Sequence, residues 1–351
     1  MSTLVPMSES SQRSRETALW LAAIWHYDRT DAMSERSTRR CRSATLLAVA
    51  TAIILAAAAG ASHATARGRN GRIAFRRWFD KDQSWGAIFT IRADGKGERQ
   101  VTHPPRGTRE DQPDWSPDGS LLVFTRSPPN QPYAVYTVRP DGLGLRRLTP
   151  PCPKGTQPQK CDYVVPAFSP DAKEIAFAGG SGIVVTDRNG RHRKVVVRSR
   201  TEVDDPQFSP DGKRLLFVQT RSTACCAIFV VNVDGSGRRR VTPWSLAAGD
   251  NPDWSPDGKW ILFRSDVPRV KQSQIYVIHP DGTGLTRLTL FKRGTLVTSS
   301  SFSPDGKWIV FAATGVGGQP DIYVMHADGT GMRPVTRTKL WDSAPDWGPR
   351  R

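Results

Sequence analysis

The sequence predicts an all-β fold built from one repeated unit of short strands. Turns of the form Ser-Pro-Asp-Gly recur between apolar segments and begin, once with Ala in place of Gly, at Ser116, Ser169, Ser209, Ser255 and Ser303. Glycine and proline number 30 and 27 and fall in turns rather than in low-complexity runs. Frequent turns between short apolar segments favour strands over helices.

Each repeat contains four apolar segments. In the copy around Ser255 they span Pro252–Ser255, Trp260–Arg264, Gln274–Ile278 and Thr286–Thr289. Proline presets the second position of the first turn, and glycine supplies its left-handed exit. An Asp-Gly or Asn-Gly pair, a strong hairpin signal, separates the third and fourth segments in six places, beginning at Asp94, Asp141, Asn189, Asp234, Asp281 and Asp328.

The spacing of the repeats predicts a closed ring. The first turns follow one another at steps of 53, 40, 46, 48 and 45 residues, if Gly348 is counted as the start of a degenerate sixth turn. Four short strands in roughly 45 residues are typical of a β-propeller blade. The segment Pro345–Trp347 supplies a first strand and Arg72–Phe75 a second strand, so we predict a six-bladed β-propeller closed by a blade shared between the N- and C-termini.

One large aromatic residue closes the first strand of every blade. We expect these side chains to form the core between blades rather than a ligand cage: Trp115, Phe168, Phe208, Trp254, Phe302 and Trp347.

The motifs resemble a known family. The pattern Asp-x-Pro-x-Trp-Ser-Pro-Asp-Gly-Lys, followed by strands such as Ile275–Ile278 and Ile322–Met325, is similar to the TolB-type six-bladed propeller repeat over roughly residues 68–349. TolB carries a separate N-terminal domain before its propeller, which we expect this chain to lack. The resemblance implies the fold more strongly than a function.

The first 66 residues differ from the repeats. Arginines precede an uncharged apolar run from Ala44 to Ala59, and Ala64-Thr65-Ala66 follows as a cleavage motif. The sequence therefore predicts a leader over 1–66, either a cleaved signal peptide or an uncleaved anchor, with Met33 as an alternative translation start. Residues 67–351 form the predicted propeller domain, exported to the periplasm, the cell envelope or the medium.

The chain is strongly basic, with a formal net charge of +17. Arginines are scattered over every repeat, and no dense basic run alternates with aromatic residues. We therefore expect a solvated basic surface and no nucleic-acid partner. An attraction to acidic partners is the alternative reading of the same charge.

Cysteine usage agrees with export. Cys152 and Cys161 bracket a short polar insertion and predict a disulfide. Cys225 and Cys226 are adjacent, and whether they are oxidised is left open. No histidine stands at zinc-ligand spacing from a cysteine pair.

The usual catalytic motifs are missing from the repeats. No Gly-x-Ser-x-Gly elbow, P-loop or His-Glu-x-x-His motif occurs there. His279 and His326 occupy one repeat position before a hairpin turn, and we interpret them as surface residues. The sequence therefore predicts a protein that is not an enzyme.

Acidic residues precede the first strand of several blades. First strands line the channel of a propeller, so these carboxylates would ring one of its mouths. Such a ring favours a cation such as Ca²⁺, or a basic partner segment. The alternative is that each residue caps its own turn. The predicted residues are Glu110, Asp111, Asp162, Asp204, Asp205, Asp250 and Asp342.

These observations predict an exported, non-catalytic scaffold, monomeric, without a resident cofactor, that binds a protein or an envelope component at the channel mouth. It would touch the membrane only through an uncleaved leader. The alternatives are a channel-site enzyme, such as a polysaccharide lyase or hydrolase, and the propeller partner of a separately encoded peptidase.

Overall fold

The computed structural model of the protein describes residues 68–156, 161–180, 182–222, 225–267, 272–314 and 318–350. The predicted leader, with Met33, lies outside the described residues. Within these ranges no helix is long and apolar enough to cross a membrane.

Twenty-four strands account for nearly all the regular structure in these ranges. In chain order they are β1 (Asn70–Trp78), β2 (Gly86–Arg92), β3 (Arg99–Gln100), β4 (Arg109–Trp115), β5 (Leu122–Ser127), β6 (Ala134–Val138), β7 (Arg146–Arg147), β8 (Tyr163–Phe168), β9 (Glu174–Gly179), β10 (Gly182–Asp187), β11 (Lys194–Arg198), β12 (Val203–Phe208), β13 (Arg214–Ser222), β14 (Cys225–Asn232), β15 (Arg239–Arg240), β16 (Ala248–Trp254), β17 (Ile261–Val267), β18 (Gln272–Ile278), β19 (Thr286–Arg287), β20 (Val297–Phe302), β21 (Trp308–Thr314), β22 (Pro320–His326), β23 (Arg333–Pro334) and β24 (Trp341–Pro349).

The strands form six antiparallel sheets of four strands each. Blades 2 to 6 each use four consecutive strands, from β4–β7 to β20–β23. The prediction of an all-β, six-bladed propeller is therefore confirmed.

Blade 1 combines strands from the two ends of the described chain. Its order is β24-β1-β2-β3, and β24 pairs with β1 so that Trp347 faces Ile73 and Asp342 faces Arg77. This pairing covers the edge of β1, which would otherwise expose unpaired backbone groups.

The first turn of each repeat is held by its serine. The Ser116 hydroxyl donates to the Asp118 carboxylate at 2.6 Å and accepts the N–H of Leu121 at 2.9 Å. Gly119 has a positive φ of 65°, which glycine adopts without steric cost. At the same position in blade 3, Ala172 is held at φ 56°, so that repeat carries a conformation that disfavours a β-carbon.

Six apolar clusters lie between neighbouring blades. In the cluster between blades 4 and 5, Leu216 and Ile228 pack with Trp254 and Phe263. The remaining five clusters join the other pairs of adjacent blades. All six predicted aromatic residues are buried there, with at most 8% exposure.

The antiparallel topology gives the ring two different faces. The Ser-Pro-Asp turns and the Asp-Gly turns both lie at the ends of the first and third strands, on what we call the turn face. The segments that lead into the first strands lie on the opposite loop face. Cys152 and Cys161 form a disulfide there, with their Cα atoms 5.5 Å apart.

Candidate functional site

The predicted acidic residues lie at the loop face, in or just before the first strands. Glu110 and Asp342 occupy the same position in β4 and β24, opposite Arg126 and Arg77 of the adjacent strands. Both carboxyl groups are fully buried. Glu110 pairs with Arg126 at 3.1 Å, and Asp342 pairs with Arg77 at 2.7 Å. These two acids therefore take part in ion pairs inside their own blades.

The environment of Glu110 changes its protonation. Burial raises its pKa to about 7, although the Thr102 hydroxyl and the Arg126 guanidinium act in the opposite direction. Thr102 donates to Glu110 and accepts the N–H of Ile88. Glu110 thus joins the segment that follows the fourth strand of blade 1 to the first strand of blade 2.

Asp111 and Asp162 also have local partners. Asp111 forms an ion pair with Arg76 of blade 1, and the Arg76 Nε donates to Ser343 at 2.9 Å. Asp162 accepts the N–H of Tyr133 at 2.8 Å. The first contact joins blades 1 and 2, and the second joins blades 2 and 3.

Asp204 and Asp205 lie at the start of the first strand of blade 4. Asp204 accepts the N–H of Asp205, whose carboxylate lies 3.4 Å from the Asn251 amide. Asp250 belongs to β16, but its side chain lies outside the described part of the structure. Asp111, Asp204 and Asp250 share one repeat position.

Every first strand contains a bulge at this position or directly after it. Register shifts interrupt its pairing with the second strand in all six blades. In five blades the bulged residue is not glycine but has φ between 48° and 52°: Gln112, Val165, Asp205, Asn251 and Ala344. Such conformations carry strain and re-aim neighbouring side chains. Most of these bulges line the central channel.

Three further aspartates, which the sequence analysis did not select, line the channel beyond the bulges. We call them the inner aspartates. Each accepts a backbone N–H from the next first strand: Asp346 from Trp115 at 2.8 Å, Asp114 from Phe168 at 2.8 Å, and Asp253 from Phe302 at 2.7 Å. These bonds hold consecutive blades together around the channel. Within the described residues, no basic side chain forms an ion pair with any of the three.

The channel raises the pKa of all three carboxyl groups. Their oxygens reach the lumen, where the surrounding first strands leave little room for water. Burial, followed by the charges of Asp346 and Asp253, raises the pKa of Asp114 well above its ordinary value. Burial also raises the pKa of Asp253 to about 7 and that of Asp346 to about 6. The channel therefore concentrates acidic groups that ionise less readily than ordinary aspartates.

The channel is narrow at this level. Its cavity has a volume of about 40 Å³, enough for about one or two water molecules. The Ser300 hydroxyl and the side-chain amide oxygen of Gln112 border the cavity, and both are buried without a hydrogen-bond partner in the described structure. Ser300 stands where the other blades place proline. The lumen is thus polar and fits a small cationic group better than a large ligand.

Calcium is the cation that the sequence analysis suggested for the loop-face acids. Calcium takes six to eight oxygen ligands. Among the described residues, no three histidine, cysteine, aspartate or glutamate side chains lie close enough together to hold a metal ion. Each inner aspartate already uses one oxygen for a backbone N–H.

A sequence signal for the inner aspartates exists. The tripeptide Pro-Asp-Trp occurs at Pro113–Trp115, Pro252–Trp254 and Pro345–Trp347, each time with a charged residue inside a strand that ends in a core aromatic. Burying an unpaired carboxylate is unfavourable. An aspartate that recurs at one buried repeat position therefore indicates that the fold provides hydrogen-bond donors or a polar cavity there.

A family model described as the TolB beta propeller domain matches residues 156–293. No curated protein matches the sequence.

Solved structures with the same fold extend this likeness over most of the ring. TolB from Acinetobacter baumannii has a TM-score of 0.66 and 22% identity, with 80% of this chain and 67% of that chain covered. A putative TolB from Agrobacterium tumefaciens has a TM-score of 0.56 and 18% identity, with coverage of 80% and 99%. A chain of a nidogen/laminin complex has a TM-score of 0.60 at 10% identity, with coverage of 77% and 96%.

At these identities the solved structures establish the fold alone. The repeat motifs, the six blades and the matched segment lead to one conclusion: this chain is a TolB-like six-bladed β-propeller, with the family pattern itself matched over residues 156–293.

Proposed function

We propose that the chain is an exported, non-catalytic scaffold that binds a protein or envelope partner at the channel mouth through a basic group of that partner. The observation that carries this proposal is the set of three channel aspartates without a basic partner among the described residues. A lysine or arginine side chain would supply the missing charge. Bringing it close would also lower the raised pKa values of these carboxyl groups.

The size of the channel supports binding over catalysis. Pockets for small-molecule substrates usually measure about 300–1,000 Å³. The channel cavity of about 40 Å³ is far smaller. A single side chain of a partner can approach such an opening, whereas a polysaccharide segment would need the ring to widen.

Export is part of the same proposal. It is supported by the apolar run that precedes the cleavage motif and by the disulfide between Cys152 and Cys161. Disulfides persist in oxidising compartments. A calcium ion at the loop-face acids remains a proposal, since the side chain of Asp250 lies outside the described residues.

The test uses the purified full chain and a labelled peptide that alternates lysine with alanine. The variant carries Asp114→Asn, Asp253→Asn and Asp346→Asn, which keep an acceptor for each backbone N–H. We expect its affinity to fall about tenfold or more, which corresponds to about 1.4 kcal/mol. The matched control carries the same charge change in exposed hairpin turns, through Asp141→Asn, Asp234→Asn and Asp281→Asn.

Equal losses in both variants would mean that the peptide senses only general surface charge, and the channel would be excluded as the site. Native mass spectrometry of the full chain, before and after treatment with a chelator, separates a bound calcium ion from a protein partner. If the chelator removes a bound calcium ion and the channel variant binds that ion as the native chain does, the binding site would be the loop-face carboxylates instead.

A further inference from the structure

The groove between blades 1 and 2 differs in charge from the corresponding groove between blades 5 and 6. We call it the closing-blade groove; it is bordered by Arg72, Arg99, Arg139 and Arg350, with Trp115 and Pro349 between them. Its cavity has a volume of about 360 Å³ and opens at the turn face. The only acidic residue that lines it is Asp141, which pairs with Arg139 at 3.3 Å.

The same groove between blades 5 and 6 has the opposite charge. Trp260, Thr286 and Asp257 stand at the positions of Arg72, Arg99 and Arg350. That groove is lined by three aspartates and by no basic residue: Asp257, Asp305 and Asp328. The repeat geometry therefore does not require arginines in this groove.

The substitution at Arg350 removes the acid that the repeat normally provides. In the five regular copies an aspartate follows Ser-Pro: Asp118, Asp171, Asp211, Asp257 and Asp305. In the closing copy, Trp347-Gly348-Pro349 is followed by Arg350. A local negative charge is thus replaced by a positive one, next to two further arginines.

Neutral groups fix one of these guanidinium groups in place. The Arg72 Nε donates to the Thr90 hydroxyl at 3.0 Å, and its Nη2 donates to the carbonyl oxygens of Thr90 and Gly97. Burial, Arg99 and Arg92 all lower the pKa of Arg72. In the described structure, Arg72, Arg99 and Arg350 form no ion pair with an acid.

We propose that the closing-blade groove binds an acidic peptide segment of a partner protein. Guanidinium groups bind carboxylates with paired hydrogen bonds. They stand here on four separate elements around an apolar floor, which suits several carboxylates along one chain, with an apolar side chain between them. The proposal does not depend on the channel carboxylates, because none of them lines this groove.

The test uses the full chain and a labelled peptide in which glutamate alternates with leucine, measured by fluorescence anisotropy. We expect Arg99→Glu/Arg350→Glu to weaken binding about tenfold or more, and added salt to weaken binding to the native chain. The matched control is Arg239→Glu/Arg293→Glu, because both side chains are exposed and Arg239 holds in blade 4 the position of Arg99.

The outcomes separate this site from its alternatives. Equal losses in the two double variants would overturn the proposal in favour of diffuse attraction to a basic surface. Binding of tripolyphosphate or of anionic phospholipid vesicles at the groove, without binding of the peptide, would also overturn it. If the charge reversal impairs folding, Arg99→Gln/Arg350→Gln serves as the second variant. The triple aspartate variant of the channel should bind the acidic peptide normally.

Discussion

At the scale of single residues, the inner aspartates combine a structural and an electrostatic role. Asp253 accepts the N–H of Phe302 from the neighbouring blade, and burial raises its pKa to about 7. The hydrogen bond favours the ionised form, whereas the enclosed lumen disfavours it. The balance makes the stability of the ring depend on pH.

We expect the ring to lose stability as the pH rises through about 7. A carboxyl group whose pKa is raised by folding binds its proton more tightly in the folded state, so its contribution is fully present below its unfolded pKa and is lost as the pH rises through its folded pKa. Glu110 and Asp346 act in the same direction as Asp253. Urea unfolding between pH 4 and pH 8 would measure this slope.

The Asp253→Asn variant should flatten that pH dependence. Asparagine keeps an oxygen for the Phe302 N–H and does not ionise. Gln207 occupies the corresponding position in blade 4, so Gln207→Asn serves as the control that changes no charge. An Asp253→Asn variant with the same pH slope as the native chain would show that this carboxyl group titrates normally.

At the scale of the element, each Leu-Thr or Val-Thr pair at the end of a blade has a defined role. The Thr102 hydroxyl accepts the N–H of Ile88 at 2.9 Å, and Thr242, Thr289 and Thr336 make the same contact in their blades. This bond supports the end of the short fourth strand, whose backbone ladder contains only two residue pairs in most blades.

The departure of the last repeat from the turn motif, at Gly348, has a steric cause. Gly348 replaces the serine of the other repeats, and a β-carbon at this position would lie 2.5 Å from the ring of Trp115. The Trp115 side chain therefore occupies the space that a serine side chain needs.

We expect Gly348→Ser to destabilise the protein, although it restores the repeat sequence. Overpacking against a buried ring typically costs about 1–3 kcal/mol. Thermal and urea unfolding of the variant would measure the loss. A neutral or stabilising Gly348→Ser change would show that Trp115 can move aside. The double variant Gly348→Ser/Trp115→Phe should recover part of the loss.

At the scale of the whole molecule, a buried ion pair crosses the seam between β1 and β24. Arg77 pairs with Asp342 across the seam and with Glu98 at 2.7 Å. Burial lowers the pKa of Arg77, but hydrogen bonds to Asp342 and Glu98 raise it above its usual range. Burial nevertheless raises the pKa of Asp342. Because Asp342 is fully buried, we infer that desolvation nearly cancels the attraction in this pair.

We therefore expect that removing one partner of this pair lowers the stability of the protein, whereas replacing both partners by apolar residues largely preserves it. Arg77→Ala leaves the buried Asp342 uncompensated and should cost about 3–5 kcal/mol. The double variant Arg77→Met/Asp342→Leu should recover most of that loss, because apolar residues of similar volume need no solvation. Urea unfolding of both variants would decide, and a double variant no more stable than Arg77→Ala would contradict this account.

The sequence by itself determined the repeat, the number of blades, the turns and the interblade aromatic core. Strand alternation and turn chemistry act over a few residues, so they can be read from local patterns such as Ser255–Gly258. The pairing of Cys152 with Cys161, nine residues apart, is equally local.

Only the tertiary structure decided which acids face the channel. Glu110 and Asp342 lie next to cross-strand arginines that stand far away in the sequence, whereas Asp114, Asp253 and Asp346 meet in the lumen because each first strand bulges. The charge of the closing-blade groove likewise arises when Arg350 comes to lie beside Arg72 and Arg99. These contacts join residues from different blades, and burial and charge depend on the side chains that ring closure brings together.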